Sequence, residues 1–306
     1  MKILVVGGSG LIGGHAALHL RHLGHEVAIA SRRAPPGASA LAALPHIAGD
    51  YLAGDFDSRL AGFEGLVFCA GADIRHVAKG DDADALFQRA NVEAVPRFFS
   101  AARAAGVRRA VHVGSFYPQV RPDLVASSNY VRSRHLADRG ACALAREDFR
   151  VCSVNAPFVV GAVPGLPGPM SDYYTRYALG QLGPVPVFAP AGGVNFISTQ
   201  SLSEAIAGAL ERAAPGHSYL VGDENLSFGD YFSEVFRAAG RDMKVPILDQ
   251  EHPLLPDRIL YAGRGTFTYY EPDPAETALL LYRRGDVRRA IAEATEQSLR
   301  QLAATG

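Results

Sequence analysis

The feature that most constrains this chain is a glycine-rich stretch near its start, KILVVGGSGLIGG at residues 2–14. Residues 3–6 are a short apolar run, typical of a strand buried on both faces. Glycines follow, and a helical pattern then continues to Gly24. Glycine permits a tight turn and lets backbone N–H groups approach a pyrophosphate, so this order is typical of a dinucleotide-binding βαβ unit. The residues predicted to contact the dinucleotide here are Gly7, Gly10, Leu11, Ile12 and Gly13.

The end of the second predicted strand, residues 25–30, indicates which dinucleotide is bound. An enzyme that selects NAD usually places Asp or Glu here to bind the ribose 2′-hydroxyl. This chain has Ser31, Arg32 and Arg33 instead. Because guanidinium groups pair well with phosphate, we predict contacts from these three residues to the 2′-phosphate of NADP, with NAD as the alternative.

Composition limits the class of protein. Of the 306 residues, 48% are hydrophobic and 20% are charged, as in an ordinary globular protein with a large core. A net charge of -1 gives no indication of a nucleic-acid or membrane-surface partner. The three widely spaced cysteines favour reduced thiols in a cytoplasmic protein over a disulfide framework or a metal site. We expect neither a signal peptide nor a membrane span.

Strand and helix patterns alternate up to about residue 160, which predicts an α/β fold with a doubly wound parallel Rossmann sheet at 1–160. Residues 161–306 are punctuated by prolines and predict a smaller C-terminal part that builds the substrate pocket and returns some elements to the sheet. A helix is predicted over residues 84–105, in which Pro96 suggests a kink or break near Val95. Ala70 and Gly71, small residues at a strand end, should let the backbone approach the cofactor.

Three polar residues suggest chemistry: Ser115, Tyr130 and Arg134. Ser115 follows a predicted strand, at the sheet edge where this fold binds ligands. Tyr130 and Arg134 are four residues apart, so they share one face of a helix. A serine hydroxyl can orient a carbonyl, a tyrosine can transfer a proton to it, and a nearby cation lowers the cost of the phenolate.

These residues belong to a longer set of motifs, and with them the chain resembles the extended short-chain dehydrogenase/reductase superfamily, specifically its epimerase/dehydratase-like group. The matching segments are GGSGLIGG from residue 7, GDFD from 54, CAGA from 69, NVEAVPRFFSAARAAGV from 91, VHVGS ending at 115, YVRSRHLAD from 130, NAPFVVG from 155 and GGVNFISTQSLSEAIAGAL from 192. They cover residues 2–240 in the expected order.

The resemblance implies a Rossmann sheet with a small C-terminal substrate domain, and NAD- or NADP-dependent chemistry on carbonyl and hydroxyl substrates. It implies that Ser115 and Tyr130 are the family's catalytic serine and tyrosine. It also implies further cofactor contacts, which are Asp55 and Phe56 beside the adenine, Asn91 on a helix, and Pro157 and Phe158 beside the nicotinamide.

One position departs from the family pattern. The family has Tyr-x-x-x-Lys, whereas the fourth residue after Tyr130 here is Arg134. Arginine carries the same charge and more donors, so it can still polarise Tyr130 and bind the nicotinamide ribose, but it does not readily release a proton. Three interpretations stay open: an active enzyme that uses Arg134, an enzyme that uses other acid groups, or a dinucleotide-binding protein without turnover.

The substrate prediction depends on aromatic residues near the site and in the variable region. The candidate substrate contacts are Phe116, Tyr117, Tyr173, Tyr174 and Phe196. Residues 161–200 offer Arg176 as their one cation, which is few for a nucleotide diphosphate. We therefore predict an NADP-preferring oxidoreductase that transfers hydride to or from a ketone or secondary alcohol of a small, apolar or aromatic substrate.

Two alternatives stay open: a nucleotide-sugar epimerase or dehydratase, and a non-catalytic, NADP-binding redox-sensing regulator. The partner predicted is a small-molecule substrate, with neither nucleic acid nor membrane, and a homodimer is left open as the assembly.

Overall fold

A parallel sheet of seven strands runs through the centre of the structure, a computed structural model that describes residues 1–305. Together with those of two smaller sheets, the strands described in the structure are β1 (Lys2–Val6), β2 (Glu26–Ser31), β3 (His46–Ala48), β4 (Gly65–Phe68), β5 (Arg109–Ser115), β6 (Arg150–Ala156), β7 (Phe158–Val160), β8 (Ala189–Pro190), β9 (Gly193–Ser198), β10 (Ser218–Leu220), β11 (Glu224–Ser227), β12 (Ile247–Leu248) and β13 (Phe267–Thr268). The helices are α1 (Leu11–His22), α2 (Ala83–Phe87), α3 (Ala94–Ala104), α4 (Tyr117–Val120), α5 (Leu124–Ser127), α6 (Asn129–Cys142), α7 (Pro169–Ala178), α8 (Thr199–Arg212), α9 (Phe228–Ala238), α10 (Pro274–Leu280) and α11 (Val287–Thr305).

The strand order of the large sheet is β10-β6-β5-β4-β1-β2-β3, and the neighbouring strands are parallel. The chain therefore builds from β1 through β2 to β3 on one side, and then returns to the other side of β1 with β4. This reversal leaves a crevice at the carboxyl ends of β1 and β4, where open parallel sheets bind ligands. The predicted doubly wound α/β fold is confirmed.

The side chains of β1 explain why both faces of this sheet are covered. Ile3 and Val5 point to the face that carries α1 and α8, and Leu4 and Val6 point to the face that carries α3 and α6. All four are buried to 1% exposure or less. Each such side chain stabilises the fold by roughly 1.5–3 kcal/mol relative to an exposed one. A strand with two apolar faces is therefore stable only between two helical layers.

The helical region predicted over residues 84–105 is interrupted, and the interruption lies just before Pro96. A wide, π-helical turn at Gln88–Glu93 separates α2 from α3. Pro96 is the third residue of α3, where its missing N–H would otherwise bond to a carbonyl in the wide turn. Pro96 thus lies in the first turn of a new helix, α3. The irregular turn precedes that helix and does not include the proline.

The C-terminal part has its own small sheet and an aromatic core. β9 pairs with β11 in antiparallel fashion and with β7 and β13 in parallel fashion. Tyr174 and Tyr177 of α7 pack edge-on against Phe232 of α9. Two elements of this part belong to the Rossmann layers, since α8 packs against α1 and β10 pairs with β6. Among the helices of residues 1–305, none is both long and apolar enough to span a membrane.

The contact between α1 and α8 contains a titratable histidine beside a serine. His15 Nδ1 lies 2.8 Å from Ser203 Oγ. Burial, followed by the charge of the neighbouring His19, lowers the pKa of His15 from its ordinary value of 6.5 to about 4. The folded protein therefore favours neutral His15, whereas the unfolded chain binds a proton below pH 6.5.

We predict that this histidine makes the protein less stable in acid. Its contribution is fully present above pH 6.5 and is lost as the pH falls from 6.5 through about 4, because only the unfolded chain takes up the proton in that range. His15→Gln should flatten the fall in the free energy of unfolding over this range, as measured by urea denaturation. His22→Gln, at an exposed position of the same helix, is the control and should keep the wild-type slope. Equal slopes for the two variants would contradict the prediction.

Candidate active site

The glycine turn after β1 is shaped by close backbone contacts. Gly7 has φ +80°, a conformation that favours glycine, and its N–H donates to Ala30 O over 2.8 Å. Gly10 N–H donates to Gly7 O over 3.0 Å. A Cβ at Gly13 would lie 2.5 Å from Gly7 O, so a side chain there would push α1 away from the turn. These three glycines hold the start of α1 against the end of β1.

The N-terminus of α1 is open to an anion. Gly10 precedes the helix and has no side chain to accept a hydrogen bond from its first N–H groups, and the first turn contains no acidic residue. Leu11 and Ile12 open the helix and are only half-buried. Such a helix start offers backbone donors and a partial positive charge, which suit a pyrophosphate.

The end of β2 carries the predicted phosphate ligands. Ser31 Oγ donates to Arg33 O over 2.7 Å and lies 3.0 Å from His46 Nε2, which fixes the turn after the strand. Arg32 and Arg33 are exposed, and neither forms an ion pair within the part of the chain that the structure describes. Their positive charges are therefore available to an external anion.

Arg134 lies across the ends of two strands. Its side chain is only 8% exposed, and Nη2 donates to Val113 O of β5 over 3.1 Å. A Cβ at Gly71, just beyond β4, would lie 2.5 Å from Nη1. Gly71 therefore provides the room in which the guanidinium sits. The buried Nε has no hydrogen-bond partner among residues 1–305, which leaves a donor unsatisfied at the crevice.

Tyr130 stands one turn before Arg134 on α6. The helix begins after Ser128, whose side chain accepts from Val131 N–H over 3.4 Å, so Tyr130 falls in the first turn. Its ring is 9% exposed. Ser115 ends β5, is 8% exposed, and its Oγ accepts a long 3.5 Å hydrogen bond from Tyr117 N–H. Because α6 packs on β5, the predicted serine, tyrosine and arginine all belong to elements that meet at this edge of the sheet.

Asn91 connects these elements. It lies in the π-helical turn and is fully buried. Its Nδ2 donates to Ala72 O and to Ser133 Oγ, each over 3.0 Å, and its Oδ1 accepts from Ala72 N–H over 2.9 Å. Asn91 thus fixes the backbone after Ala70 and Gly71 relative to α6. Its side chain has no surface left for a cofactor, and its role in the structure is to position the loop.

The residues predicted beside the adenine differ in how accessible they are. Asp55 is exposed, and its carboxylate accepts from Asp50 N–H over 3.0 Å. Phe56 is 1% exposed, and its ring packs edge-on against Phe98 at 6.1 Å between centroids. The Phe56 ring is therefore a core residue, and only its backbone remains for a nucleotide.

The residues predicted beside the nicotinamide, Pro157 and Phe158, lie where β6 ends and β7 begins. Pro157 is buried, and Phe158 is half-buried. The Phe158 ring packs against Phe196 at 5.0 Å and against Tyr231 at 5.8 Å. This pair therefore joins the Rossmann sheet to the aromatic core of the C-terminal part.

Several predicted substrate contacts need correction. Phe196 has no exposed surface because it stacks on Tyr231, and Tyr174 is 2% exposed because its ring packs against α9. Neither side chain lines a cleft in this structure. Tyr173 is 56% exposed on α7, and Phe116 is 5% exposed in the C-terminal core. Their aromatic character and their place in the sequence predicted a substrate pocket but did not distinguish the lining of a pocket from the interior of a domain.

Of the predicted substrate residues, Tyr117 lies near Tyr130, the candidate acid/base. The two rings are connected by Tyr261, a residue that the sequence did not suggest. Tyr261 stacks face to face on Tyr130, and Tyr117 meets Tyr261 edge-on at 5.7 Å. Tyr261 lies in an irregular loop more than a hundred residues after Tyr130, where no periodic pattern could have marked it.

The described residues fit a bound dinucleotide. An uncapped helix start, two unpaired arginines at the end of β2 and an unsatisfied Nε at Arg134 are three sets of donors along the crevice. In the described part of the chain, no group of three His, Cys, Asp or Glu side chains has the arrangement of a metal site.

Comparison with known proteins agrees with this geometry. The family model described as "NAD dependent epimerase/dehydratase family" matches residues 3–222. The chain belongs to this family. A search of curated proteins gives no match.

Solved structures resemble this family member over almost the whole chain. A UDP-glucose-4-epimerase from Stenotrophomonas maltophila, with bound NAD and formylated UDP-arabinopyranose, is 17% identical with a TM-score of 0.78, and the match covers 100% of both chains. MoeE5 in complex with UDP-glucose and NAD is 22% identical with a TM-score of 0.71, covering 99% of this chain and 100% of the other. A short-chain dehydrogenase/reductase superfamily protein from Agrobacterium tumefaciens with bound NAD is 18% identical with a TM-score of 0.70, covering 100% and 99%. At these identities the likeness shows the shared fold.

We predict that Gly71→Ala weakens cofactor binding without unfolding this epimerase/dehydratase family member. The added methyl would meet the end of a flexible side chain, so the Arg134 guanidinium should shift and the backbone should not. NADPH affinity, measured from the change in nicotinamide fluorescence, should fall while the melting temperature changes little. Gly37→Ala is the control, because a Cβ there meets no atom within 4 Å. Unchanged NADPH affinity in Gly71→Ala would contradict the prediction, because it would show that cofactor binding does not depend on the position of the Arg134 guanidinium.

Proposed function

We propose that this protein catalyses NAD(P)-dependent hydride transfer at a carbon that alternates between secondary alcohol and ketone, with Tyr130 as the acid/base. The observation that carries the proposal is the position of Arg134. Its guanidinium reaches Gly71 and Val113 at the ends of β4 and β5, so the turn of α6 that bears Tyr130 stands at the sheet edge where this fold binds nucleotides.

Each polar residue has a role in this reaction. The nicotinamide, when bound, supplies or accepts the hydride. Tyr130 gives its phenolic proton to the carbonyl oxygen in the reductive direction and recovers one in the oxidative direction. Ser115 Oγ donates a hydrogen bond that orients the same oxygen. Arg134 keeps its positive charge near neutral pH, which lowers the cost of the Tyr130 phenolate, and its donors hold the ribose.

We propose NADP as the preferred cofactor. Arg32 and Arg33 support this choice because both are exposed and unpaired within the described residues, and because no acidic side chain follows β2 to bind a 2′-hydroxyl. The similar structures named above contain NAD. The proposal of NADP therefore rests on this arginine pair and not on the fold that the protein shares with those structures.

A nucleotide sugar is the first candidate substrate. The family includes epimerases and dehydratases, and two of the similar structures hold a UDP-linked sugar. The prediction of an apolar substrate depended on aromatic residues lining the pocket, and two of them, Tyr174 and Phe196, lie inside the C-terminal core instead. An aromatic or alicyclic ketone is the second candidate, and the contact of Tyr117 with Tyr261 beside Tyr130 favours it.

We predict that Tyr130→Phe lowers turnover by at least about 100-fold, because a proton donor in the transition state typically contributes that much. The assay offers UDP-sugars with NAD or NADP and detects epimerised or dehydrated sugar. In parallel, it offers aromatic and alicyclic ketones with NADPH and follows the nicotinamide absorbance. Product detection is needed for the sugars because an epimerase returns its hydride and leaves no net change in cofactor.

Tyr269→Phe is the matched control, since Tyr269, just after β13, is 39% exposed and should leave turnover unchanged. Intact turnover in Tyr130→Phe would refute the proposed role of this residue. Tight NADPH binding with no turnover of any substrate would instead favour a non-catalytic, NADP-binding regulator.

We also predict that replacing both Arg32 and Arg33 by alanine weakens NADPH binding by about tenfold or more, equivalent to roughly 1.4 kcal/mol, and leaves NADH binding nearly unchanged. The two affinities are measured by fluorescence titration of the same preparations. Arg21→Ala, a change at an exposed arginine of α1, controls for the loss of surface charge. A parallel loss of affinity for both cofactors would argue against a 2′-phosphate site.

A further inference from the structure

We infer that Tyr261, which belongs to the C-terminal part, is a positioning residue for the Tyr130 ring. The inference rests on the proposed role of Tyr130 as the acid/base. It assigns to the loop around Tyr261 a task in the reaction that neither the motifs nor the family match indicates.

The contact between the two rings is close and parallel. Their centroids are 3.8 Å apart, and the ring planes differ by 11°. Phe87 of α2 meets Tyr130 from another direction, with its ring at 5.5 Å and nearly perpendicular. Two aromatic neighbours therefore restrict both rotation and tilt of the Tyr130 ring.

Tyr261 is itself held by residues of the Rossmann half. Its hydroxyl accepts a hydrogen bond from Ile74 N–H over 3.3 Å, which ties it to the loop after β4. Its ring meets Tyr117 edge-on, and the Tyr117 ring packs against Phe116 at 4.2 Å with the ring planes tilted by 35°. The stack on Tyr130 is thus one contact in a connected aromatic set, and Tyr261 has little freedom to leave it while the loop stays in place.

The loop that bears Tyr261 is anchored to the C-terminal part. Gly265 N–H donates to Ala191 O over 2.9 Å. The Arg264 side chain forms ion pairs with Asp249 at 3.1 Å and with Asp257 at 3.7 Å. These contacts fix the two ends of the loop, so the position of Tyr261 follows the position of the C-terminal part.

Tyr261 and Tyr117 are neutral partners for the acid/base residue. Burial is the main cause that raises the pKa of each phenol well above its ordinary value. Both therefore keep their protons at neutral pH and place no second negative charge beside Tyr130. This is what an acid/base that must pass through a phenolate requires from its neighbours.

The test uses fluorine NMR of the protein grown with 3-fluorotyrosine, which gives one resonance for each of the twelve tyrosines. The Tyr130 resonance is assigned by its loss in Tyr130→Phe. In Tyr261→Leu this resonance should move towards the position of free fluorotyrosine and become narrower, because the stacked ring and the restriction on motion are both removed. In Tyr261→Phe it should stay near its original position. Tyr173→Leu, at an exposed tyrosine of α7, is the control and should not move it.

The kinetic part uses the substrate found with the Tyr130→Phe assay. We expect Tyr261→Leu to lower kcat by up to about 100-fold with KM little changed, as for a misplaced catalytic group. Tyr261→Phe should retain most of kcat. If Tyr261→Leu does not fold, Tyr261→Met replaces it, since methionine fills space without a ring.

Two results would overturn the inference: an unmoved Tyr130 resonance in Tyr261→Leu, or a change in KM alone. The failure of the proposed function is a separate result, namely intact turnover in Tyr130→Phe. The resonance measurement needs no substrate, so it decides the stacking role even then.

Discussion

The structure depends on one close approach of backbone to backbone, the turn after β1 against the start of α1 and the end of β4. A Cβ at Gly13 would lie 2.5 Å from Gly7 O, and a Cβ at Gly7 would lie 3.0 Å from the carbonyl carbon of Cys69. No side chain larger than hydrogen fits between these segments. Because the turn is this tight, α1 starts directly over the crevice, and its N–H groups face the place where the strand order reverses.

Much of the fold and part of the candidate site followed from local sequence patterns. Buried strands such as residues 3–6 have apolar side chains on both faces, and this requirement fixes their composition whatever surrounds them. The same holds for Gly7 and Gly13, whose turn admits little else. Local patterns place Ser115 at a strand end and Tyr130 on a helix, whereas the roles expected of them come from the resemblance to the family.

The remainder could not be predicted because it depends on contacts between distant parts of the chain. Phe196 is aromatic, as residues that line an apolar pocket often are, but the packing of β9 against α9 buries it completely. Tyr261 lies in an irregular loop, and its importance comes from a partner 131 positions earlier in the sequence. The room beside Arg134 is provided by Gly71, on another element. Such pairings leave no periodic signal in a single sequence.

The stack of Tyr261 on Tyr130 also links motion to chemistry. One ring is carried by the Rossmann half and the other by a loop anchored on the C-terminal half. A hinge movement that separated these two halves would therefore slide the two rings apart. Under the role proposed for Tyr130, its ring would be held by the stack only while the two halves are together, so closure of the crevice and alignment of the acid would be one event.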